Sequence, residues 1–102
     1  MSVKILMNWD IKPGRDQEYF EFVVREWVPG IQKLGIQPTG AWYTVYSRSK
    51  SPQITTEAIA KDVTTMRGIL DSAEWQSLFD RLQDYVQNYK QKIVHVTGGF
   101  QM

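Results

Sequence analysis

Asn8, Glu57 and His95 are the side chains in this sequence whose types suit proton-transfer chemistry. A neutral imidazole can act as general base, a carboxamide can donate to a developing oxyanion, and a carboxylate can orient a substrate or serve as a second base. His95 is the only histidine, and the chain has no cysteine. One histidine and one carboxylate on separate segments give too few ligands for a metal, so no metal site and no disulfide is expected. A second set is aromatic: Trp42, Tyr43 and Tyr46 join large rings to polar tips, which suits either stacking on a flat apolar ligand or anchoring an interface. Pro13-Gly14 invites a third reading, as a phosphate cradle. The glycine-rich spacings of nucleotide loops are missing, and the acidic residues that follow would repel an anion, so the pair reads as a turn.

The elements that must position these residues follow from periodicity. Val3, Ile5, Met7, Trp9 and Ile11 alternate with Lys4, Leu6, Asn8 and Asp10, the pattern of a strand with one face in the core. Lys12-Pro13-Gly14-Arg15 fits a type II turn. A helix begins near Asp16, with Phe20, Val23, Val24, Trp27, Ile31 and Leu34 as its buried stripe and Gly35 as its stop. Pro29 interrupts that stripe and predicts a kink or break between Trp27 and Gly30. Residues 41–47 and 54–61 are rich in strand formers and predict a hairpin whose tip holds Arg48, Lys50 and Pro52. A helical turn follows over residues 64–70. Asp71 with Glu74 resembles a capping box before a second helix carrying Trp75, Leu78, Phe79, Leu82, Val86 and Tyr89. Residues 92–100 supply the last strand.

The order β, α, β, β, α, β predicts an α+β, ferredoxin-like fold: one four-stranded antiparallel sheet with two helices on one face. With strand order four, one, three, two, Asn8 would lie between His95 and Glu57 in a row on the face away from the helices. The outer two would be about 10 Å apart, a span that a bridging substrate or water could fill.

The totals set limits. At 102 residues the chain makes a single domain, residues 1–102, with one core. Its 12 basic and 11 acidic residues are dispersed, which argues against nucleic acid or an anionic membrane as partner. No signal-like apolar region opens the chain and no stretch approaches the roughly 20 apolar residues of a membrane span, so a soluble, cytoplasmic protein is expected.

The sheet face away from the helices is too apolar for a monomer. Leu6, Ile59 and Ile93 are expected there with one parity of the Trp42–Tyr46 segment, and contiguous apolar patches beyond a few hundred Å² are unusual on monomers. A second copy packed sheet to sheet would bury about 800 Å² per subunit, the usual scale of a stable interface. A homodimer is therefore expected. The alternative is that the outer aromatics pack under the C-terminal tail around Phe100.

The segments WDIKPGRDQEYFEFV, LGIQPTGAWYTVY, LDSAEWQSL and KIVHVTGGF resemble the dimeric α/β-barrel superfamily, with NIPSNAP-like members nearest in character. The resemblance spans nearly the whole chain and rests on packing and turn signatures. It implies a dimer whose two sheets form a barrel, often with a cavity between them, among relatives that include cofactor-independent monooxygenases, haem-degrading and haem-binding enzymes and many proteins of unknown role. Haem-degrading relatives place an asparagine on the first strand and a tryptophan and histidine on the second helix. Here His95 lies on the last strand, Trp75 belongs to the core stripe and Asn8 is displaced by one residue, which reverses its face. Haem degradation is disfavoured and no cofactor is implied. The leading expectation is a homodimer holding a small apolar or aromatic ligand between its sheets, with Trp42, Tyr43 and Tyr46 as ligand contacts and His95, Asn8 and Glu57 as catalytic candidates if it is a cofactor-independent enzyme. Its rivals are a non-catalytic interaction protein with a filled interface, and an oxygenase-like enzyme acting on a reduced polycyclic substrate.

Overall fold

Alternation of apolar and polar residues makes the first segment a strand, and its apolar side is the one buried. The computed structural model describes residues 2–43 and 53–96. Strand β1 (Val3–Ile11) alternates buried and half-buried along its whole length. It lies between β3 (Ile54–Ala60) and β4 (Val86–His95), while β2 (Gln37–Tyr43) borders β3, giving the antiparallel order β2-β3-β1-β4. This is the predicted fold class and strand order. The hairpin tip around Arg48, Lys50 and Pro52, and Tyr46 and Phe100 with them, lie outside the described residues.

Lys12 to Arg15 forms the expected turn: Gly14 has φ +81°, and the Arg15 N–H donates to the Lys12 carbonyl at 3.0 Å. The first helical run then comprises α1 (Asp16–Phe22), a π-helical turn (Val23–Trp27) and α2 (Val28–Leu34), and it stops at Gly35 with φ +105°. The kink expected from Pro29 takes the form of that π turn. Pro29 sits in the first turn of α2, just beyond the wider turn, whose closing bond runs from the Val28 N–H to the Val23 carbonyl. A π turn adds a residue to the helical repeat and rotates the face that follows. The buried residues are consequently Tyr19 and Phe22 before it, and Trp27 and Ile31 after it. Phe20 and Val24, expected in the stripe, are 44% and 71% exposed.

The second run holds α3 (Val63–Leu70) and α4 (Ala73–Leu82). Asp62 caps α3 by accepting from the Thr65 N–H at 2.7 Å, and Ser72 caps α4 by accepting from the Trp75 N–H at 3.1 Å. The cap of α4 is therefore Ser72, one residue beyond the expected Asp71, which closes α3 instead. Helix α4 ends at Leu82, so Val86 and Tyr89 belong to β4 rather than to the helix. Their spacing of three imitates a helix because β4 bulges: the pairing with β1 shifts between Asn8 and Asp10, and Asn88 adopts φ +59°. The bulge lets Val86 and Tyr89 both face the helices. Asp10 fastens this region by accepting from the Gln53 N–H and the Asn88 side chain, each at 2.9 Å.

The core lies between the sheet and the helices, centred on Trp9. Its ring stacks on Tyr89 at 5.8 Å and meets Trp27 edge-on at 6.0 Å, and Trp27 in turn packs on Trp75 at 5.5 Å.

Candidate functional site: an apolar cavity under the first helical run

Strand β2 begins earlier than its aromatic segment suggested, at Gln37. It is an edge strand, which tolerates Pro38, and its register with β3 shifts between Pro38 and Gly40. The sheet side chains facing the first helical run here are small: Ala41 on β2, and Ala58 and Thr56 on β3. Opposite them the helix has its π turn. The outcome is a cavity of about 200 Å³.

Met7 and Ala58 form part of its sheet wall, and Val23 and Trp27 part of its helical wall. Phe20 and Tyr43 also line it; both are exposed and their rings meet edge-on at 6.0 Å, so they stand at the mouth. The wall is apolar apart from a few groups. Tyr19 accepts a hydrogen bond from Trp9 Nε1 at 2.9 Å through its hydroxyl. Burial pushes the Tyr19 phenol up to about 12, against a smaller lowering effect of the Trp9 bond, so it stays a neutral donor. Thr56 lines the same space, and among the described residues its buried hydroxyl has no partner. An orphaned buried hydroxyl costs about 1–3 kcal/mol, a cost that a ligand could relieve. Glu57 also borders the cavity near Gly40, but its carboxylate is engaged elsewhere. Lys4 lies 3.1 Å away and the Thr39 hydroxyl donates to it at 3.0 Å. The Lys4 ammonium, then Thr39, hold Glu57 below the usual carboxylate range, which leaves it a poor base near neutral pH.

The remaining sequence candidates fall in different places. Trp42 pairs with Thr55 and Tyr43 with Ile54, so Trp42 projects from the open side and Tyr43 from the helical side of the sheet. Both reach the rim of the cavity, and Trp42 folds its ring toward Gly40. Tyr46 lies outside the described residues. The expected row of Asn8, Glu57 and His95 does not form. Asn8 pairs with Thr55 and Lys90, Glu57 pairs with Leu6, and His95 pairs with Val3. Asn8 and Glu57 therefore share the open face two positions apart. His95 has the opposite parity, five positions along β1 from Asn8 or about 17 Å at strand rise. Strand order was right, but register decides neighbours: β4 meets β1 with His95 opposite Val3, and β3 meets it with Glu57 opposite Leu6. Leu6 and Ile59 are on the open face as expected. Ile93, paired with Ile5, is not; Val94 takes that side.

Tyr19 and Thr56 were not among the sequence candidates. Tyr19 carries a faint signal in lying three residues before Phe22, which a stripe shifted by one would include. Thr56 sits in an ordinary strand run and carries none.

No protein-family model matches the sequence, and no curated protein matches it. Solved structures do. A NIPSNAP family protein from Agrobacterium tumefaciens is similar over 96% of this chain and 95% of its own, at 20% identity and a TM-score of 0.68. An ethyl tert-butyl ether d (EthD) family protein from Bacillus halodurans is similar over 95% and 100%, at 15% identity and a TM-score of 0.73. A dimeric protein of unknown function and ferredoxin-like fold from Bacteroides fragilis is similar over 93% and 96%, at 10% identity and a TM-score of 0.62. The likeness is one of fold. It is the ferredoxin-like fold of NIPSNAP-like proteins, matching the architecture expected from the sequence.

Proposed function

We propose that this chain binds a small apolar or aromatic molecule, and that the binding site is the cavity beneath the π turn within one subunit. The observation that carries the reading is a 200 Å³ apolar space set against the buried aromatic and aliphatic core. Packed interiors leave few voids larger than a water, and an apolar cavity of about 150 Å³ is known to stay dry and admit benzene. Drug-sized pockets run to about 300–1,000 Å³, so the space suits one ring with a few further atoms and is too small for a polycyclic substrate or haem. Tyr43 and Trp42 serve as contacts at its rim. Asn8 and His95 have no part in this reading, since neither borders the cavity.

The same reading includes a homodimer formed through the open face of the sheet. Leu6, Ile59, Val94 and Trp42 on that side support it, as does the dimeric state of the Bacteroides fragilis protein of the same fold. Light scattering on the purified chain decides this part, and a monomer at micromolar concentration defeats it. Kinship with the NIPSNAP-like proteins is part of the proposal and rests on likeness of fold over nearly the whole chain.

The binding test is titration with one-ring aromatics, read by tryptophan fluorescence and melting temperature. At a hundredfold excess over Kd a ligand stabilises by about 2.7 kcal/mol, which raises Tm by about 10 °C or more in a domain of this size. Ala41→Trp places bulk on an exposed position of the lining and is expected to abolish the shift while leaving the fold intact. Absence of any shift in the unaltered protein, or an unchanged shift in Ala41→Trp, defeats the cavity as a binding site.

A further inference from the structure

We propose that the cavity selects a neutral, one-ring molecule bearing a single hydrogen-bond acceptor oxygen, such as an aryl ketone or aldehyde, and reads that oxygen with the hydroxyls of Tyr19 and Thr56. The inference rests on the binding reading above and adds the chemistry of the ligand. Two independent observations place the polar end. The Tyr19 oxygen already accepts the Trp9 Nε1–H, so the phenol's own proton points elsewhere, and among the described residues it has no acceptor. Thr56 brings a second hydroxyl, buried and unpartnered, to the same wall.

Register sets the two on the same part of the cavity wall. Thr56 pairs with Met7, and Trp9, which holds Tyr19, is two residues farther along the same strand and on the same face. Such diagonal neighbours stand about 7–8 Å apart at the backbone, so the two hydroxyls belong to one stretch of the wall, where the oxygen of a one-ring ligand can accept from them. The remainder of the wall offers aromatic and aliphatic surface, which suits a ring.

Charge excludes the alternatives. Among the described residues Glu57 is the only charged one in the lining, and its carboxylate is paired with Lys4. A carboxylate ligand would meet no free cation among the described residues of the lining and would lose its hydration uncompensated. A ligand without any polar atom would leave both hydroxyls as they are, gaining only contact. A carbonyl oxygen offers these donors the acceptor they lack.

The test compares ethylbenzene, acetophenone and benzoate as probes on the full chain and on Thr56→Val and Tyr19→Phe. Acetophenone is expected to bind about three- to tenfold more tightly than ethylbenzene, the usual worth of a hydrogen bond. That advantage is expected to shrink by a similar factor in each variant, with ethylbenzene affinity unchanged. Thr56→Val preserves shape and removes an unpaired group, so it remains informative if Tyr19→Phe, which strands Trp9 Nε1, fails to fold. Equal affinity for ethylbenzene and acetophenone, or an advantage that survives Thr56→Val, overturns the polar selection and leaves the cavity as a purely apolar site. Tightest binding of benzoate overturns the neutral class. If none of the probes binds, the cavity reading falls and takes this inference with it.

Discussion

The two helical runs cover the same side of the same sheet, yet they are built differently. The second is orderly: Asp62 and Ser72 cap its helices, and Trp75, Leu78 and Leu82 of α4 are buried at helical spacing. The first has Arg15 at its start with no side-chain cap, a π turn in its middle and Pro29 just beyond. They meet closely at Gly30, where an added Cβ would stand 2.8 Å from a Leu78 methyl, and Arg81 pairs with Glu26 across them. The irregular run stands over an apolar cavity against β2 and β3, whereas the hollow that α4 borders, between the two runs, has Arg25, Glu26, Glu74 and Arg81 on its wall. The π turn thus accompanies the apolar cavity, which accords with the frequent placement of π turns at functional sites.

The sharpest way to break that contrast is to shorten one side chain in each run. Leu78→Ala in α4 is expected to cost about 2–5 kcal/mol, because a buried side chain loses both transfer energy and packing. Val23→Ala in the cavity wall is expected to cost about 1 kcal/mol or less, since part of its surface has no neighbour to lose. Chemical denaturation measures both. Equal costs would mean that the space under the first run is filled.

Alkaline pH separates the two regions more gently. Burial raises the Tyr19 phenol to about 12 and raises Tyr89 as well, whereas in the unfolded chain both ionise near 10. The folded state therefore holds these protons when the unfolded state has lost them. Stability from this source is fully present below pH 10 and declines as pH rises toward 12, by roughly 2–3 kcal/mol for Tyr19. Tyr19→Phe is expected to flatten part of the decline and leave the Tyr89 part, as followed by unfolding at a series of pH values. A bound ketone is expected to delay the ionisation of Tyr19 further, seen in tyrosinate absorbance.

The smallest expected effect concerns the caps. Ser72→Ala should remove about 1 kcal/mol and lower Tm by about 4–8 °C. Asp16→Ala at the start of the uncapped run should change stability by about 0.5 kcal/mol or less, because no cap hydrogen bond is lost. A loss at Asp16 as large as at Ser72 would remove this distinction between the runs.

Much of the fold was legible in residue pattern. Alternation from Val3 to Ile11 marked a strand with one face in the core, Pro13-Gly14 marked the turn, and element order led to the observed sheet. Errors arose where two periods coincide. Val86 and Tyr89 continue the helical spacing of Trp75 and Leu82, yet a bulged strand produces the same interval. Phe20 and Val24 fit a 3.6-residue stripe, yet a single wider turn moved the buried face to Tyr19 and Phe22. The chemical candidates were harder. Asn8, Glu57 and His95 were chosen by type, and their adjacency depended on a register that strand order alone does not fix.

Local sequence determined which segments became strand, turn and helix, and which side of β1 entered the core, because backbone preference and side-chain alternation act over a few residues. Tertiary packing alone decided that Pro29 would be met by a π turn, that small residues on β2 and β3 would lie beneath it, and that two hydroxyls distant in the chain would share one apolar cavity. A void is the space that neighbouring surfaces fail to fill. No stretch of sequence encodes it until those surfaces are brought together.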